Sequence, residues 1–491
     1  VPAIEVAAIS REEAQVALHD AVTSVERADP HMTAARRLSR GQVTILVAVV
    51  TTLAVGFVLV PLATALTFTI TATLIYTVTL LERVVAFRAS LRVASFVQVS
   101  DADALAVPDS SLPTYTVLIP AFGEAAVIAD LVVGLERIDY PRDRLEVKLL
   151  LEEEDHATIG AAQRVVTDVP ISILVVPKGE PQTKPRALDY GMRFSSGEMV
   201  TIYDAEDRPE PLQLRRAAVA MARLGGSYAC LQARLEFYDS HRNLLAKLFS
   251  IEYLTWFRCL LPGMVARRGV VPLGGTSNHF RRQALEEVGA WDPWNVTEDA
   301  DLGIRLQRFG HHIAVLDSVT MEEVNSDLVN WVKQRSRWQK GYLQTSLVHL
   351  RHPRRVRNEI GLSGLLHLIL FVAGTPVLAL CNLVFWTLSL VWLALRPELI
   401  QQIFPSWVFY LATATWLLGN FVIAFLGVLT VAVTDRDDLL WAALLAPLYW
   451  VLMSVASLRA TLQLIADPFH WEKTTHGLRE PQPGMATPPP S

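Results

Sequence analysis

The side chains best placed to do chemistry are carboxylates that end apolar runs. Residues 199–203 lead directly into Asp204, Ala205, Glu206 and Asp207. A single intervening residue lets Asp204 and Glu206, at the end of an extended strand, converge on one hard divalent cation. Mg2+ or Mn2+ favours such oxygen ligands and can bridge phosphates, offsetting the charge that grows on a nucleoside diphosphate leaving group. A second acidic cluster, residues 152–155, follows the apolar run 147–151. Acidic residues after a buried strand are also ordinary loop starts, so neither cluster alone decides between a site and a solvated turn. Two further groups stand out. Thr297, Glu298 and Asp299 have the composition of a helix N-terminus. Gln334, Arg337 and Trp338 have the i, i+3, i+4 spacing that puts them on one helix face, so they can act together. Residues 274–278, Gly-Gly-Thr-Ser-Asn, form a small polar loop that lets backbone approach a ligand closely.

These groups need a scaffold. Residues 114–120, 147–151, 171–176 and 199–203 read as buried strands separated by helical stretches. That alternation predicts an α/β domain with a mostly parallel sheet and ligands at the carboxyl ends of its strands, where the acidic groups lie. Either side of this domain the chain changes character. Residues 43–61 and 62–81 are nearly uncharged, twice the ~20 residues needed to cross a bilayer, and Pro61 breaks them into a hairpin. Arg36, Arg37 and Arg40 precede the hairpin and Arg83, Arg88 and Arg92 follow it, which places both flanks on the cytoplasmic side. After a basic run at 351–357 come apolar segments at about 362–395, 407–433 and 439–464. The first is long for one crossing and short for two, with a break at Gly374, Thr375 and Pro376; two crossings would return the tail to the cytoplasm and give about six spans in all.

The expected organisation is therefore a cytoplasmic N-terminal segment (1–42), a membrane hairpin (43–81) and a cytoplasmic catalytic domain with interfacial helices (82–350). Membrane helices (351–465) and a cytoplasmic tail (466–491) complete it. Within the domain, residues 243–261 carry the pattern of an amphipathic helix on the membrane face, or equally of a core helix. The 491 residues are 51% hydrophobic and 19% charged, with a mean hydropathy of +0.31, as a bilayer-embedded protein requires. A net charge of −5, with no basic tract interleaved with aromatics, excludes nucleic acid as a partner class. Cys230, Cys259 and Cys381 are too scattered for a disulfide framework or a zinc site.

Asp204-Ala205-Glu206, Thr297-Glu298-Asp299 and Gln334-Arg335-Ser336-Arg337-Trp338, in this order between membrane segments, resemble the membrane-embedded family 2 glycosyltransferases that include cellulose, curdlan, chitin and hyaluronan synthases. The resemblance covers residues 114–345. Glu206 stands where the best-known synthases carry Asp, which keeps the charge, and residues 152–155 replace an Asp-Asp-Gly element. What the resemblance implies is a GT-A-like nucleotide-sugar domain at the plasma (inner) membrane. It would take a sugar from a UDP-sugar, UDP-glucose by similarity to β-glucan synthases, and elongate and translocate a β-linked glycan.

The resemblance also assigns roles. Asp299, with Glu298 beside it, takes the acceptor proton; the aromatic faces of the preceding loop, Trp294 among them, suit sugar rings. Glu152 contacts the donor nucleotide, with Asp155 as the alternative, and Lys184 and Asp204 also face the donor. Gln334 and Arg337 lie near the diphosphate and Trp338 stacks on the acceptor sugar. Thr276 and Asn278 border the acceptor. The tail resembles a gating loop, with Trp471 and Lys473 closing over the diphosphate. Single addition to a lipid acceptor is the alternative within enzymes. A transporter with a nucleotide-binding domain is a less favoured reading, since the membrane segments lack paired broken helices.

Overall fold

The computed structural model describes residues 3–36, 38–91, 96–404 and 406–469. Nine strands form one sheet: β1 (Glu5–Val6), β2 (Tyr115–Ala121), β3 (Leu145–Glu152), β4 (Ile171–Val176), β5 (Met199–Ile202), β6 (Arg208–Pro209), β7 (Tyr228–Phe237), β8 (Asn278–Arg281) and β9 (His312–Glu322). Their order is β1-β4-β3-β2-β5-β8-β7-β9-β6. The first five in that order run parallel, β8 is antiparallel to both β5 and β7, and β9 returns parallel to β7. Side chains alternate across the sheet. Val117, Ile119, Val147, Leu149 and Leu151 pack on one face against Leu131, Leu135 and Leu214. Leu118, Leu150 and Leu174 pack on the other against Leu188 and Tyr190. Burial on both faces is why these strands are near-continuous apolar runs in the sequence.

Residues before the first long apolar helix pack on this sheet domain. Glu5 and Val6 pair with β4. The helix Arg11–Ala28 lies on the helix Lys184–Arg193 and places Ala17, Leu18 and Ala21 in the core.

Five helices among the described residues are long and apolar enough to cross a membrane: Arg40–Leu59, Pro61–Ser90, Pro353–Leu395, Trp407–Val433 and Ala446–Ala466. The hairpin turns at Val60 and Pro61 as expected, with a proline in the first helical turn where its missing N–H costs nothing. The run after residue 361 differs from the pair of crossings allowed by its length. It is one continuous helical rod. Residues Leu368–Ala373 form a π-helical segment, and the Thr375 hydroxyl donates to the Phe371 carbonyl at 2.6 Å. A widened turn thus absorbs Pro376 without a reversal.

The last long helix, Ala446–Ala466, packs beside the domain helix Leu328–His349. Tyr449 meets Trp331 with ring centroids 5.0 Å apart, and Phe469, just past the helix, meets Trp294 at 5.4 Å. Both ends of this helix therefore touch the catalytic domain. The helix Leu244–Thr255 bridges domain and membrane helices: Phe249 and Tyr253 join the sheet-side core, while Ile251 and Leu254 pack with Val428 and Val431. Its start is fixed by Asn243, whose side chain caps Ala246.

Candidate active site

The carboxyl ends of β2, β3 and β5 open into a cavity of about 360 Å3 whose lining includes Phe122, Glu152, Lys184, Asp204, Glu206 and Arg337. The turn after β5 is held by Asp207. Its buried carboxylate accepts the Asp204 amide at 2.8 Å and the Thr276 hydroxyl. Burial, and then Asp204 and Glu206, push its pKa well up. With Asp207 turned inward as a clamp, Asp204 and Glu206 are the two that line the cavity. Lys184, at the start of its helix, pairs with Asp204 and donates to the Gly275 carbonyl at 2.9 Å. Burial alone would depress the lysine, but Asp204 and Glu298 outweigh it and raise its pKa, so it stays charged. An all-oxygen set of two carboxylates fits Mg2+ or Mn2+, with remaining positions left to phosphate oxygens and water. No group of three or more His, Cys, Asp or Glu side chains arranged to hold a metal occurs among the described residues.

Glu152 lines the cavity and accepts from Arg186, a fully buried guanidinium, at 2.6 Å. Burial raises the Glu152 pKa while Arg186 opposes it. Asp155, the alternative nucleotide contact, is engaged elsewhere: it caps the helix His156–Gln163 through Thr158 and accepts the Gly123 amide at 2.5 Å, tying the β2 turn to β3.

A second cavity, about 190 Å3, begins where the first ends and extends toward the membrane helices. Tyr253, Gly275, Thr297, Asp299 and Trp338 line both. Glu298 lines only the first, with Gln334. Asp299 is therefore the carboxylate at the junction. It sits in the first turn of the helix Glu298–Arg308 and accepts the Ala300 amide at 2.7 Å. Thr297 occupies the N-cap position, but its hydroxyl makes no cap bond and is buried without a hydrogen-bond partner among the described residues; the residue lines both cavities. Burial raises the pKa of Asp299, against the Ala300 amide, Lys184 and Arg337. Glu298 is pushed up to about 7 by burial and then by Asp299. Burial thus raises both of two adjacent carboxylates in one low-dielectric site.

Trp338 is held by its neighbours. The Arg335 guanidinium lies 4.2 Å from its ring and 4.2 Å from that of Phe249, and Arg335 is anchored by Glu252 at 2.5 Å. Tyr253 stacks near-parallel with Trp338, centroids 6.2 Å apart.

Not every expected residue reaches the site. Trp294 lines neither cavity; it packs on Phe469, and its carbonyl accepts from Gln344. Asn278 is buried behind the loop and holds the Gly274 carbonyl at 2.6 Å, while Thr276 lines the first cavity but spends its hydroxyl on Asp207 and the Ile202 carbonyl. Both shape the loop from behind. Trp471 and Lys473 lie outside the described residues.

Residues that the sequence reading missed include Tyr253, Arg335 and Glu322. Glu322 ends β9 as Asp204 follows β5, and it lines the first cavity. Burial, then Asp207, Asp204 and Glu206, raise its pKa well above the usual range. The strand-end rule would have found it had β9 been read as a strand.

Comparison with known proteins agrees with this geometry. Residues 113–341 match the family described as "Glycosyltransferase like family 2". The beta-monoglucosyldiacylglycerol synthase of Synechocystis is 28% identical over 255 residues, 51% of this chain and 51% of that one. A probable glucomannan 4-beta-mannosyltransferase of Arabidopsis thaliana is 26% identical over 262 residues, 50% of this chain and 48% of that one. The chain spans about half the length of the curated relatives it matches. Among solved structures, the mannosyltransferase PcManGT from Pyrobaculum calidifontis, in complex with GDP-Man and Mn2+, superposes with a TM-score of 0.53 at 19% identity. The match covers 82% of this chain and 99% of that one, and shows a shared GT-A-like fold.

Proposed function

Starting from residues 113–341 as a family 2 glycosyltransferase domain that uses a nucleotide sugar, we propose that the enzyme transfers one sugar to the hydroxyl of a lipid or glycolipid acceptor drawn from the bilayer. The observation that carries this reading is the second cavity. From Asp299 it continues between Leu80, Trp256, Ile423, Leu426 and Trp450, an apolar lining that suits an acyl or prenyl chain better than a hydroxyl-rich glycan.

In this reading the nucleoside diphosphate, with UDP-glucose as the first donor to try, lies in the strand-end cavity. Glu152 faces the base, and Lys184, Gln334 and Arg337 face the diphosphate. A divalent ion at Asp204 and Glu206, Mn2+ or Mg2+, supplies charge neutralisation for the leaving group. The acceptor oxygen attacks the anomeric carbon as the bond to the β-phosphate oxygen breaks, and Asp299 takes the acceptor proton, inverting the configuration. Glu298, pushed up to about 7 by burial and then by Asp299, is only partly ionised at neutral pH, which lessens the negative charge beside the reacting centre.

A processive β-glycan synthase is the second reading. It is favoured by the Trp338 and Tyr253 platform at the junction, which suits a terminal sugar ring. The deciding experiment is incubation of the full chain in vesicles with UDP-sugars, GDP-sugars and Mg2+ or Mn2+. Label should enter the lipid phase as a discrete monoglycosylated species. A water-phase polymer that lengthens with time and needs no lipid acceptor would overturn the lipid reading in favour of the second.

The orientation follows the same logic. The catalytic domain is cytoplasmic at the inner (plasma) membrane, because the arginines flanking the hairpin favour that side. Four crossings suffice if the helix Ala446–Ala466 lies along the domain rather than through the bilayer. Single cysteines placed at the exposed residues 30 and 168 and at residue 468 would then all react with a reagent confined to the cytoplasmic side. Labelling of residue 468 from the opposite side would exclude this arrangement.

A further inference from the structure

Arg83 looks in the sequence like one of several cations marking the cytoplasmic end of a membrane helix. Such arginines normally extend their heads into water, and Arg88, one turn on, is exposed. Arg83 instead is only 7% exposed. Its guanidinium donates to the Thr375 hydroxyl at 2.6 Å and lies 4.9 Å from the Phe371 ring and 5.9 Å from the Trp450 ring. Its Nε is buried without a hydrogen-bond partner among the described residues. The carboxylates nearest in sequence and in the cavity have other partners: Glu82 pairs with Arg267 and lies beside His367, and Glu252 pairs with Arg335.

A buried guanidinium with a hydroxyl and two aromatic faces for company is costly unless an anion completes it. The place for that anion is defined. Arg83 lines the same cavity as Asp299, and Tyr342, also in that lining, lies within electrostatic reach of both. The donor's diphosphate is accounted for in the other cavity, beside Lys184 and Arg337. A neutral glycan or diacylglycerol head brings no charge to this point, whereas a phosphate has the oxygen geometry that a guanidinium fork matches.

We propose that Arg83 is the docking point for the phosphate of an anionic lipid acceptor, one in which the phosphate lies between the hydrophobic chains and a hydroxyl-bearing head that reaches Asp299. This rests on the lipid-acceptor reading and adds the charge of the head to it. The apolar remainder of the cavity holds the first part of the chains, and Arg83 sets the depth at which the head stops. The acceptor hydroxyl, not the phosphate, is the nucleophile, consistent with a carboxylate placed to take a proton.

The test uses the full chain in phosphatidylcholine vesicles doped with a phosphate-bearing acceptor (phosphatidylglycerol or phosphatidylinositol) or a neutral one (diacylglycerol or monoglucosyldiacylglycerol). Both sugar transfer and retention of radiolabelled lipid by the solubilised protein are read. The wild type should prefer the phosphate-bearing set. In Arg83→Gln, which keeps a donor for Thr375, that preference should fall roughly ten- to a hundredfold, the worth of a charge-assisted hydrogen bond. Arg83→Lys should retain part of it. Equal use of the two sets by the wild type, or a preference unchanged in Arg83→Gln, overturns the proposal while leaving a lipid acceptor intact. A polymer made without lipid overturns the lipid reading itself. In that event retention still decides the phosphate site: anionic lipid held by the wild type but not by Arg83→Gln supports it, and equal retention removes it.

Discussion

The two cavities that meet at Asp299 are built in opposite ways. The donor cavity takes most of its carboxylates from strand ends and the turns just after them: Glu152 from β3, Asp204 and Glu206 after β5, Glu322 from β9. The membrane-side cavity draws single residues from many distant segments, among them Arg83, Leu235, Glu252, Arg335, Ile423 and Trp450. One is a local consequence of parallel strands stopping at the same edge of a sheet. The other exists only because helices far apart in the chain pack together. The first should be governed by charge and metal, the second by shape and acceptor.

On that division, the largest effect belongs to the carboxylate that the two cavities share. Asp299→Asn removes the proton acceptor but not the donor contacts, and should lower kcat by roughly 10²–10⁴-fold with little change in donor KM, measured by nucleotide release and product formation together. Retained turnover would break the assignment of Asp299 to the junction. Next comes the cation. Chelation, or Asp204→Ala, should lower activity by about 10²-fold or more. Mg2+ or Mn2+ should restore the chelated wild type but not the variant. Acceptor lipid retention should be unaffected by either treatment, which is where the comparison between cavities is sharpest.

How far each cavity was legible in the sequence follows from the same difference. β2 to β5 are continuous apolar runs because both faces of a parallel strand are buried, so their ends, and the carboxylates there, could be located to within a residue or two. β7 and β9 escaped because polar residues interrupt them. Gln232 and Arg234 lie in β7 and are satisfied only in three dimensions, by the Thr276 carbonyl and by Asp317 at 2.8 Å. With β9 unread, Glu322 went unnoticed. Trp294 was expected at the acceptor because it precedes Asp299 in sequence, but the turn at residues 292–295 directs it onto Phe469. Arg335 passed as a spacer in the motif, since its role depends on Phe249 and Glu252, more than eighty residues away. Arg83 passed as a topology signal. Nothing local distinguishes it from Arg88.

A middle-sized effect tests the acceptor side of the junction. Trp338→Ala removes the ring on which the acceptor's polar end would rest and leaves Arg335 with one aromatic neighbour fewer. Acceptor KM should rise by roughly ten- to thirtyfold, on the scale of one aromatic stacking contact. Donor-dependent nucleotide release in water should change less, because Gln334 and Arg337 occupy the same helix face and stay in place. An equal rise in donor KM would mean that the two cavities are not separable at this residue.

A pH measurement probes the donor side. The Glu298 carboxyl is raised from an ordinary 4.5 to about 7, by burial first and then by Asp299. The folded protein therefore binds a proton that the unfolded chain releases between those values. Stability should fall as pH rises through that window, by on the order of 3 kcal/mol at most. Glu298→Gln, which cannot ionise, should flatten that slope in denaturant titrations from pH 4.5 to 7. An unchanged slope would place the titrating group elsewhere.

The smallest effect comes from the wall between the cavities. Gly275 exposes backbone at the junction, and a methyl group there would stand 3.4 Å from Asp299 Oδ2 and 3.9 Å from Lys184 Nζ. Neither contact is a clash, so Gly275→Ala should fold with stability within about 1 kcal/mol of the parent. It would nevertheless narrow the space in which the acceptor oxygen and the anomeric carbon meet, and displacements well below an ångström at a reacting centre are felt in kcat. A fall in kcat of about three- to tenfold with both KM values nearly unchanged is the expected outcome. If kcat holds and only donor KM rises, Gly275 belongs to the donor wall alone, and the meeting point of the cavities lies farther toward Trp338.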